Sequence, residues 1–416
     1  MLPNGWKIYS VGELTENFDA RRIPVRELDR ETGPYPYYGA SGIVDHVNDY
    51  LFEGEYLLVA EDGENLRSRQ TPIAFMANGK FWVNNHAHIV RGNALALTRF
   101  LAYALQTTDI SGYLTGSTLP KLTQANLNRI PILSPPLGEQ QRIIRVLGTL
   151  DDKIDMNKRM NETLEELAHA LFKSWFVDFD PVRERASGEN PPGIAAKFPA
   201  LFSTSRIGRV PSGWDVAPIT SRARLLSGGT PKTSRADYWD GDIPWCSAKD
   251  VSQATETVLL ATERTITAKG LHESATQLIP PWCTVVVARG ATTGRMVLLG
   301  REMAMNQTCY ALESSIGTPL SLYCQLRVEI GSLVHAAHGS VFDTITTTTF
   351  ANSLVTRPPE SLLLGFEREV KPLFARILSN TKESRTLAAL RETLLRKLIS
   401  GQIRLNQAEK IIEANA

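Results

Sequence analysis

PSGW, residues 211–214, nearly repeats PNGW, residues 3–6, and this echo decides the architecture. Gly5-Trp6 maps onto Gly213-Trp214 at an offset of 208, and the same offset carries Pro36 onto Pro244 and Ala40 onto Ala248. A repeat of this size outranks any local feature, because a duplicated unit misread as one domain misplaces every element in it. Farther along, Leu57-Leu58-Val59-Ala60 resembles Val285-Val286-Val287-Ala288, and Asn85-His86 aligns with Asn306-Gln307. Toward the end of each half the offset settles at 223: Gly116-Ser117 falls on Gly339-Ser340, Thr123 on Thr346 and Pro135-Pro136 on Pro358-Pro359.

Beyond the paired prolines both halves turn helical. The offset of 223 maps Ile154 onto Ile377, Asn157 onto Asn380, Leu164 onto Leu387, Leu167 onto Leu390 and Leu171 onto Leu394. Spacing of three and four through Leu147, Leu150, Ile154, Asn157, Asn161, Leu164, Ala168, Leu171 and Trp175 is a heptad seam. A second seam runs through Leu373, Ile377, Asn380, Ser384, Leu387, Leu394 and Leu398, with Pro372 expected in a first turn or at a kink, since it has no amide hydrogen to donate. From Glu139 to Phe176 such a helix would be on the order of 55 Å long, more than one module needs to cover itself. Charge favours pairing of the two helices: Glu139 to Asp180 carries six basic and nine acidic residues, Leu364 to Arg404 nine basic and four acidic. An antiparallel pair would bring Asn157 and Asn380 face to face across a pseudo-twofold axis, a polar pair that fixes register at some cost in stability.

The expected fold is therefore α+β: two globular modules separated by two long antiparallel helices that form a coiled-coil spacer, with a pseudo-twofold internal repeat. Its boundaries fall at residues 1–138 for the first module, 139–180 for the central helical spacer and 181–210 for a linker rich in Pro, Gly and Ser. The second module takes 211–359, the C-terminal helical spacer 360–405 and a tail 406–416. Short β-rich runs (YLLVA 56–60, FWV 81–83, CTVVVA 283–288, MVLL 296–299) alternate with helical ones such as TRFLAYALQ, 98–106.

Composition bounds the function. A chain of 416 residues exceeds one core, and 43% hydrophobic with 21% charged residues is that of an ordered protein. No apolar run of about 18 residues is present, and MLPNGWKIYS lacks the pattern of a secretory leader, so a cytoplasmic protein without a membrane partner is expected. Cys246, Cys283, Cys309 and Cys324 never form a CxxC pair and read as buried thiols. The balance of 45 basic against 44 acidic side chains neither demands nor excludes nucleic acid.

Two similar modules on a stiff rod can engage two similar sites a fixed distance apart. Double-stranded DNA offers such sites, since half-sites recur on one face every turn, about 34 Å. Polar residues beside glycine in loops between strands are the candidates for contact, because there backbone approaches phosphate and long side chains reach base edges. Gly116, Ser117 and Lys121, with Gly339 and Ser340 opposite, fit a phosphate-positioning loop, and Thr230 and Lys232 fit likewise. For base reading the candidates are Arg67, Arg69, Asn84, Asn85 and His86 in the first half, and Lys249, Arg289, Arg295, Asn306 and Gln307 in the second. The competing reading is structural: Gly-Ser pairs are commonly plain turns, and Asn beside a strand is commonly a turn former. In the helices Ile154, Asn157, Leu164, Leu171, Ile377, Asn380, Leu387 and Leu394 are the expected spacer core.

Several stretches together resemble the specificity subunit of type I restriction-modification systems. They are YPYYGASGI (35–43), GSTLPKLT (116–123), IPILSPPLGEQQRI (130–143) and LFKSWFVDFDPVR (171–183) in the first half. SRIGRVPSGW (205–214), GGTPKTSRADYWDGDIPWCSAKDV (228–251), RGATTG (289–294), MNQTCYAL (305–312) and LRETLLRKLISGQI (390–403) follow in the second. The resemblance implies a non-catalytic subunit with two target recognition domains, each reading one half of a bipartite DNA target. It implies partners too: two methyltransferase subunits that use S-adenosylmethionine, and two motor-nuclease subunits that use ATP and magnesium. No cofactor and no metal is expected in the chain itself.

Signs of chemistry in the chain are weak. Asn190-Pro191-Pro192-Gly193 lacks the aromatic residue with which adenine methyltransferases stack on a flipped base. Gly290-Ala291-Thr292-Thr293-Gly294 lacks the spacing and lysine of a nucleotide-binding loop. His86 with His88, and His335 with His338, have no neighbouring cysteine and no HExxH pattern. An enzyme with an unrecognised site and a scaffold that binds only protein are the alternatives to a DNA-reading adaptor.

Overall fold

The computed structural model describes residues 5–189, 193–338 and 344–413. The chain divides into two compact units, Met1–Lys153 with Thr386–Ala416, and Ile154–Arg385. Both mix helices and sheets.

In the first unit the six-stranded sheet runs in the order Thr15–Asn17, Ala87–Gly92, Phe52–Ala60, Ala74–Val83, Thr32–Gly39, Gly42–Val47. The second half of its central strand, Tyr56–Ala60, is covered on both faces and reads as a continuous apolar run. Period two sorts that run: Leu57 and Val59 pack with Phe100, Leu101 and Leu105 of the helix Thr98–Thr107, whereas Phe52, Tyr56 and Leu58 pack with Phe81 and Ile89. In the second unit the strand Thr284–Val287 lies between Cys309–Ser314 and Met296–Leu299 in a five-stranded sheet. Val285 and Val287 face one cluster and Val286 the other, the same division. A separate four-stranded sheet orders Arg264–Ile266, Trp239–Cys246, Met303–Met305, Leu278–Ile279.

Each unit also joins its two ends in a short antiparallel ladder. Lys7 pairs with Ser134 and Ser10 with Pro131; Asp215 pairs with Arg357 and Pro218 with Leu354. These pairs differ by 208 on one strand and 223 on the other, the two offsets of the sequence. Val11 N donates to Ile130 O and Ile219 N to Ser353 O, each acceptor being the residue immediately after a short helix capped by Thr123 or Thr346. Gly5 and Gly213 sit at φ +80° and +82°, a conformation glycine adopts without strain.

Two long helices, Leu137–Phe176 and Glu360–Ile399, cross both units. Pro372 lies inside the second one, not in its first turn. Within the first unit Leu147 and Leu150 share a core with Leu394 and Leu398. Within the second unit Phe172 and Trp175 stack edge-on against Phe366, at 5.4 and 5.8 Å. Asn157 and Asn380 are both buried but do not meet. Asn157 Nδ2 donates to Glu383 Oε2 (2.8 Å) and Ser384 Oγ (3.3 Å), while Asn380 Nδ2 donates to Asn161 Oδ1 (2.9 Å). Antiparallel register sets each asparagine opposite a residue one turn from its counterpart, so the polar contact is a layer of two crossed pairs. Of the expected spacer core, Ile377 and Leu394 are fully buried, while Ile154, Leu164, Leu171 and Leu387 are half-buried. Phe172 and Phe176 join the seam residues Ala168 and Trp175 in the core there.

The described residues of 181–210, expected as a linker, are folded. Asp180–Ala186 is a helix, and Phe202–Ser205 pairs with Gly208–Pro211. Phe198 is fully buried among Trp175, Phe176 and Trp214, with ring centroids 5.6 to 6.2 Å apart. Pro, Gly and Ser mark the turns, but Val182 and Phe198 supply enough apolar surface, about 2–3 kcal/mol per buried aromatic, to hold the segment down. Asn190 to Pro192 of the Asn-Pro-Pro-Gly stretch lie outside the described residues, as do Pro3 and Asn4. Among the described residues no helix is long and apolar enough to cross a membrane.

Candidate functional site

In the first unit three loops meet at one end of the sheet: residues 60–64, 84–87 and 115–122. Glu61 N donates to His86 O, Leu122 N to Glu61 O, and Gly63 N to Pro120 O. This crossing of backbone bonds brings Arg67, Asn84, Asn85, His86, Gly116, Ser117 and Lys121 to one rim. Arg67 Nη2 donates to Gly116 O at 3.0 Å and lies 3.4 Å from Ser117 O, so it braces the Gly-Ser turn. Gly116 is required there: its φ is +84°, and a Cβ would stand 2.2 Å from Leu119 O. Asn84 Oδ1 accepts from His86 N at 2.8 Å and shapes the turn that leaves Asn85 and His86 exposed. His86 Nδ1 lies 2.8 Å from Asp62 Oδ2, and Lys121 Nζ 3.2 Å from Glu61 Oε1.

Arg69 does not belong to the rim. It ends a short helix at φ +51°, and its guanidinium donates to Leu105 O (3.3 Å) and Thr108 O at the C-terminal end of the helix Thr98–Thr107. Carbonyls at a helix C-terminus attract a cation, and these contacts turn the Arg69 side chain toward the helix end. Burial lowers the pKa of this guanidinium, opposed by nearby Asp109.

In the second unit Asn306 N donates to Cys246 O and Gly229 N to Met305 O. Gly228 and Gly229 permit this: a Cβ on Gly228 would lie 2.1 Å from Met305 O, and one on Gly229 2.6 Å from the Ala275 carbonyl carbon. The close approach sets Thr230 against Gln307, with a hydrogen bond from Thr230 Oγ1 to Gln307 Oε1. Ser252 Oγ contacts Thr292 Oγ1, joining the helix Ala248–Gln253, which carries Lys249, to the loop that carries Arg289 and leads to Arg295. Arg289, Arg295 and Lys232 are exposed, and their side chains have no hydrogen-bond partner among the described residues. Lys249 is paired with Glu263 at 2.7 Å. Asn306 is buried and spends its Oδ1 on Thr308 N and Oγ1, so its oxygen shapes a turn. Gly339 and Ser340 lie outside the described residues, as does the side chain of His338.

The two ends share a geometry the sequence alignment missed by one residue. Tyr38 pairs in parallel with Val83 and accepts from Asn84 N; Cys246 pairs in parallel with Met305 and accepts from Asn306 N. Asn84, not Asn85, is therefore the counterpart of Asn306, and both use Oδ1 to cap the residue two positions on. A one-residue slip is invisible where small insertions flank two adjacent asparagines. Sequence reasoning also missed Asp19, Arg22, Glu61 and His88, which lie beneath the first rim. Nothing in their spacing links them, because only the strand pairing brings residues 19, 61 and 88 together. Among the described residues no group of three or more His, Cys, Asp or Glu is placed to hold a metal ion.

The family description of the type I restriction modification DNA specificity domain matches residues 3–166 and again residues 211–361, more than half of the chain. The HindI type I restriction enzyme specificity subunit of Haemophilus influenzae is 24% identical over 478 aligned residues, covering 96% of this chain and 99% of that protein. The MjaIX specificity subunit of Methanocaldococcus jannaschii is 23% identical, covering 98% and 95%. The crystal structure of a type I restriction-modification S subunit from M. genitalium superposes with a TM-score of 0.57 at 15% identity, covering 96% and 97%, a likeness of fold. With two successive segments matched, on the two frames that carry the loops just described, the chain belongs to the type I restriction-modification DNA specificity domain family.

Proposed function

We propose that this chain is the DNA-specificity subunit of a type I restriction-modification complex, acting in the cytoplasm, and that it carries no catalytic site of its own. Each module reads one half of a bipartite duplex target. The helices Leu137–Phe176 and Glu360–Ile399 form the spacer that sets the gap and dock two methyltransferase subunits. S-adenosylmethionine, ATP and magnesium serve those subunits and the two motor-nuclease subunits that join them.

One observation carries this reading: the family match occurs twice, and both matched segments bring a Gly-bearing loop and polar side chains to the same end of equivalent strands. The ladders at offsets 208 and 223 support a duplicated frame. The crossed pairs Asn157–Ser384 and Asn161–Asn380 are each other's images under the 223-residue offset, which supports a pseudo-twofold helix pair. The loops differ between modules, which fits two unlike half-sites.

The test is methyl transfer from labelled S-adenosylmethionine to a random duplex library. The chain with its methyltransferase subunits is expected to label adenines within one two-part sequence of fixed gap. Label transferred by the chain alone would overturn the adaptor reading in favour of an enzyme.

A further inference from the structure

Beneath the rim of the first unit lies a compact charge cluster. Asp19 Oδ2 is 2.6 Å from His88 Nδ1, and Asp19 Oδ1 accepts from Ile89 N at 2.8 Å. Arg22 Nη1 is 2.7 Å from Glu61 Oε2, and Glu61 Oε1 is 3.2 Å from Lys121 Nζ. Side-chain exposure is 2% for His88, 7% for Asp19, 13% for Glu61 and 16% for Arg22. Two members reach outward to the backbone of the rim. Arg22 Nη1 lies 2.9 Å from Ala87 O and 3.5 Å from Asn85 O, holding the turn that presents Asn85 and His86. His88 Nε2 lies 2.7 Å from Leu122 O, holding the loop that presents Gly116, Ser117 and Lys121.

We propose that Arg22 and His88 are positioning residues for one half of the target: through Asn85 O, Ala87 O and Leu122 O they hold two reading loops in fixed relation. This rests on the DNA-specificity reading above. Four observations favour a dedicated positioning role over general packing. The cluster is charged, and removing charge from water is costly unless every group is bonded. Its outward bonds end on loop carbonyls, where a planar guanidinium with several donors grips two acceptors at once. Asp19 and Glu61 face Arg22, and Glu61 also faces Lys121, so two carboxylates meet two cations and the cluster needs no DNA to balance its charge. Among the described residues the second unit has no such device at the equivalent position: the strand position that pairs His88 with Val59 pairs Cys309 with Val287, inside an apolar cluster with Cys246 and Met305. The two half-sites should therefore respond differently to the same class of substitution.

The test uses the complex of the full chain with its methyltransferase subunits. Methylation rates are measured on the cognate duplex and on duplexes with one mismatch in either half, giving a discrimination ratio for each half. Arg22→Lys keeps the charge but loses the fork, and His88→Leu removes both ring bonds at similar size. The expected result is a loss of discrimination on the order of tenfold in the first module's half, the amount one well-placed base contact supplies, with the other half unchanged. Equal loss in both halves, or none, for Arg22→Lys would overturn the proposal, and that variant decides if His88→Leu does not assemble. A wild-type complex without a two-part target would instead overturn the reading beneath it.

Discussion

Replacing Asn161 by Leu should destabilise the second unit, and replacing Asn380 by Leu as well should reverse part of that loss, the part due to the stranded Asn380 donor. Both side chains are buried, and Leu has the same heavy-atom branching as Asn. Asn380 Nδ2 has Asn161 Oδ1 as its acceptor at 2.9 Å, and Asn380 Oδ1 is a buried oxygen without a partner. Asn161→Leu alone therefore strands a second polar atom in the same layer and removes the bonds to Thr381 Oγ1 and Glu256 Oε2. A buried donor left without its partner costs roughly 1–3 kcal/mol. For a unit of this size about 2 kcal/mol corresponds to a drop in Tm of about 4–8 °C. The double variant discards the orphaned donor together with the native unpaired oxygen, so its Tm should recover that part of the loss. Differential scanning calorimetry of the wild type, both single variants and the double variant completes the cycle, with the transitions of the two units followed separately. A double variant whose loss equals the sum of the single losses would show that the two asparagines are not coupled and refute the reasoning.

Three other outcomes are expected. Gly116→Ala should weaken DNA binding by the assembled complex about tenfold in an anisotropy titration, since φ +84° and a 2.2 Å approach to Leu119 O force the loop to move; its thermal transition should shift by no more than a few degrees. Arg289→Ala should weaken binding about equally across sequences, with the slope of log affinity against log salt reduced by about one, if the exposed guanidinium meets phosphate. The Asp19 carboxyl feels burial, which would raise its pKa, but the His88 and Ile89 hydrogen bonds and the charges of His88 and Arg22 together bring it below the ordinary range. A depressed acid adds stability above its unfolded pKa of about 4 and loses it as pH falls through the folded value. Thermal melts from pH 6 to pH 2 should therefore fall more steeply below about pH 4 for the wild type than for Asp19→Asn, and parallel curves would count against it.

How far the fold was readable from residues alone differs from place to place, for physical reasons. Gly5, Gly213, Thr123 and Thr346 were legible because each serves the backbone directly, through a positive φ or a capped amide, and backbone demands are local. The apolar strands and the long helices were legible because period two and the heptad persist over many residues. The folded segment after Phe176 was not, since composition weighs its Pro, Gly and Ser but not the few aromatic rings that seat it. Of the candidate reading residues, those that stayed at the rim are side chains that flank a tight turn, such as His86 and Gln307. Arg69 turned away because its partner, a helix end 39 residues on, is not suggested by the sequence, whereas the Asn306 turn is local, with Thr308 two residues on, and only its burial was not legible.

These differences bear on how one frame could read two unlike sequences. The elements that match at the offsets 208 and 223 are the ladder of chain ends and the capped helix before it, and the central strands pair alike in both units, all closed by backbone bonds that accept many side chains. What changes is the support under the loops: a buried ion cluster beside the Gly116 turn in one unit, and glycines pressed against neighbouring backbone in the other. A loop held by charged side chains can be re-aimed by substituting one of them, whereas a loop held by a glycine contact has no room for a Cβ and shifts only if its whole backbone moves. On that ground new specificity should be easier to select by point substitution in the first module than in the second. Selection of altered methylation patterns from matched mutant libraries of the two modules, with changes concentrated in the second, would show that loop support does not govern how readily the reading changes.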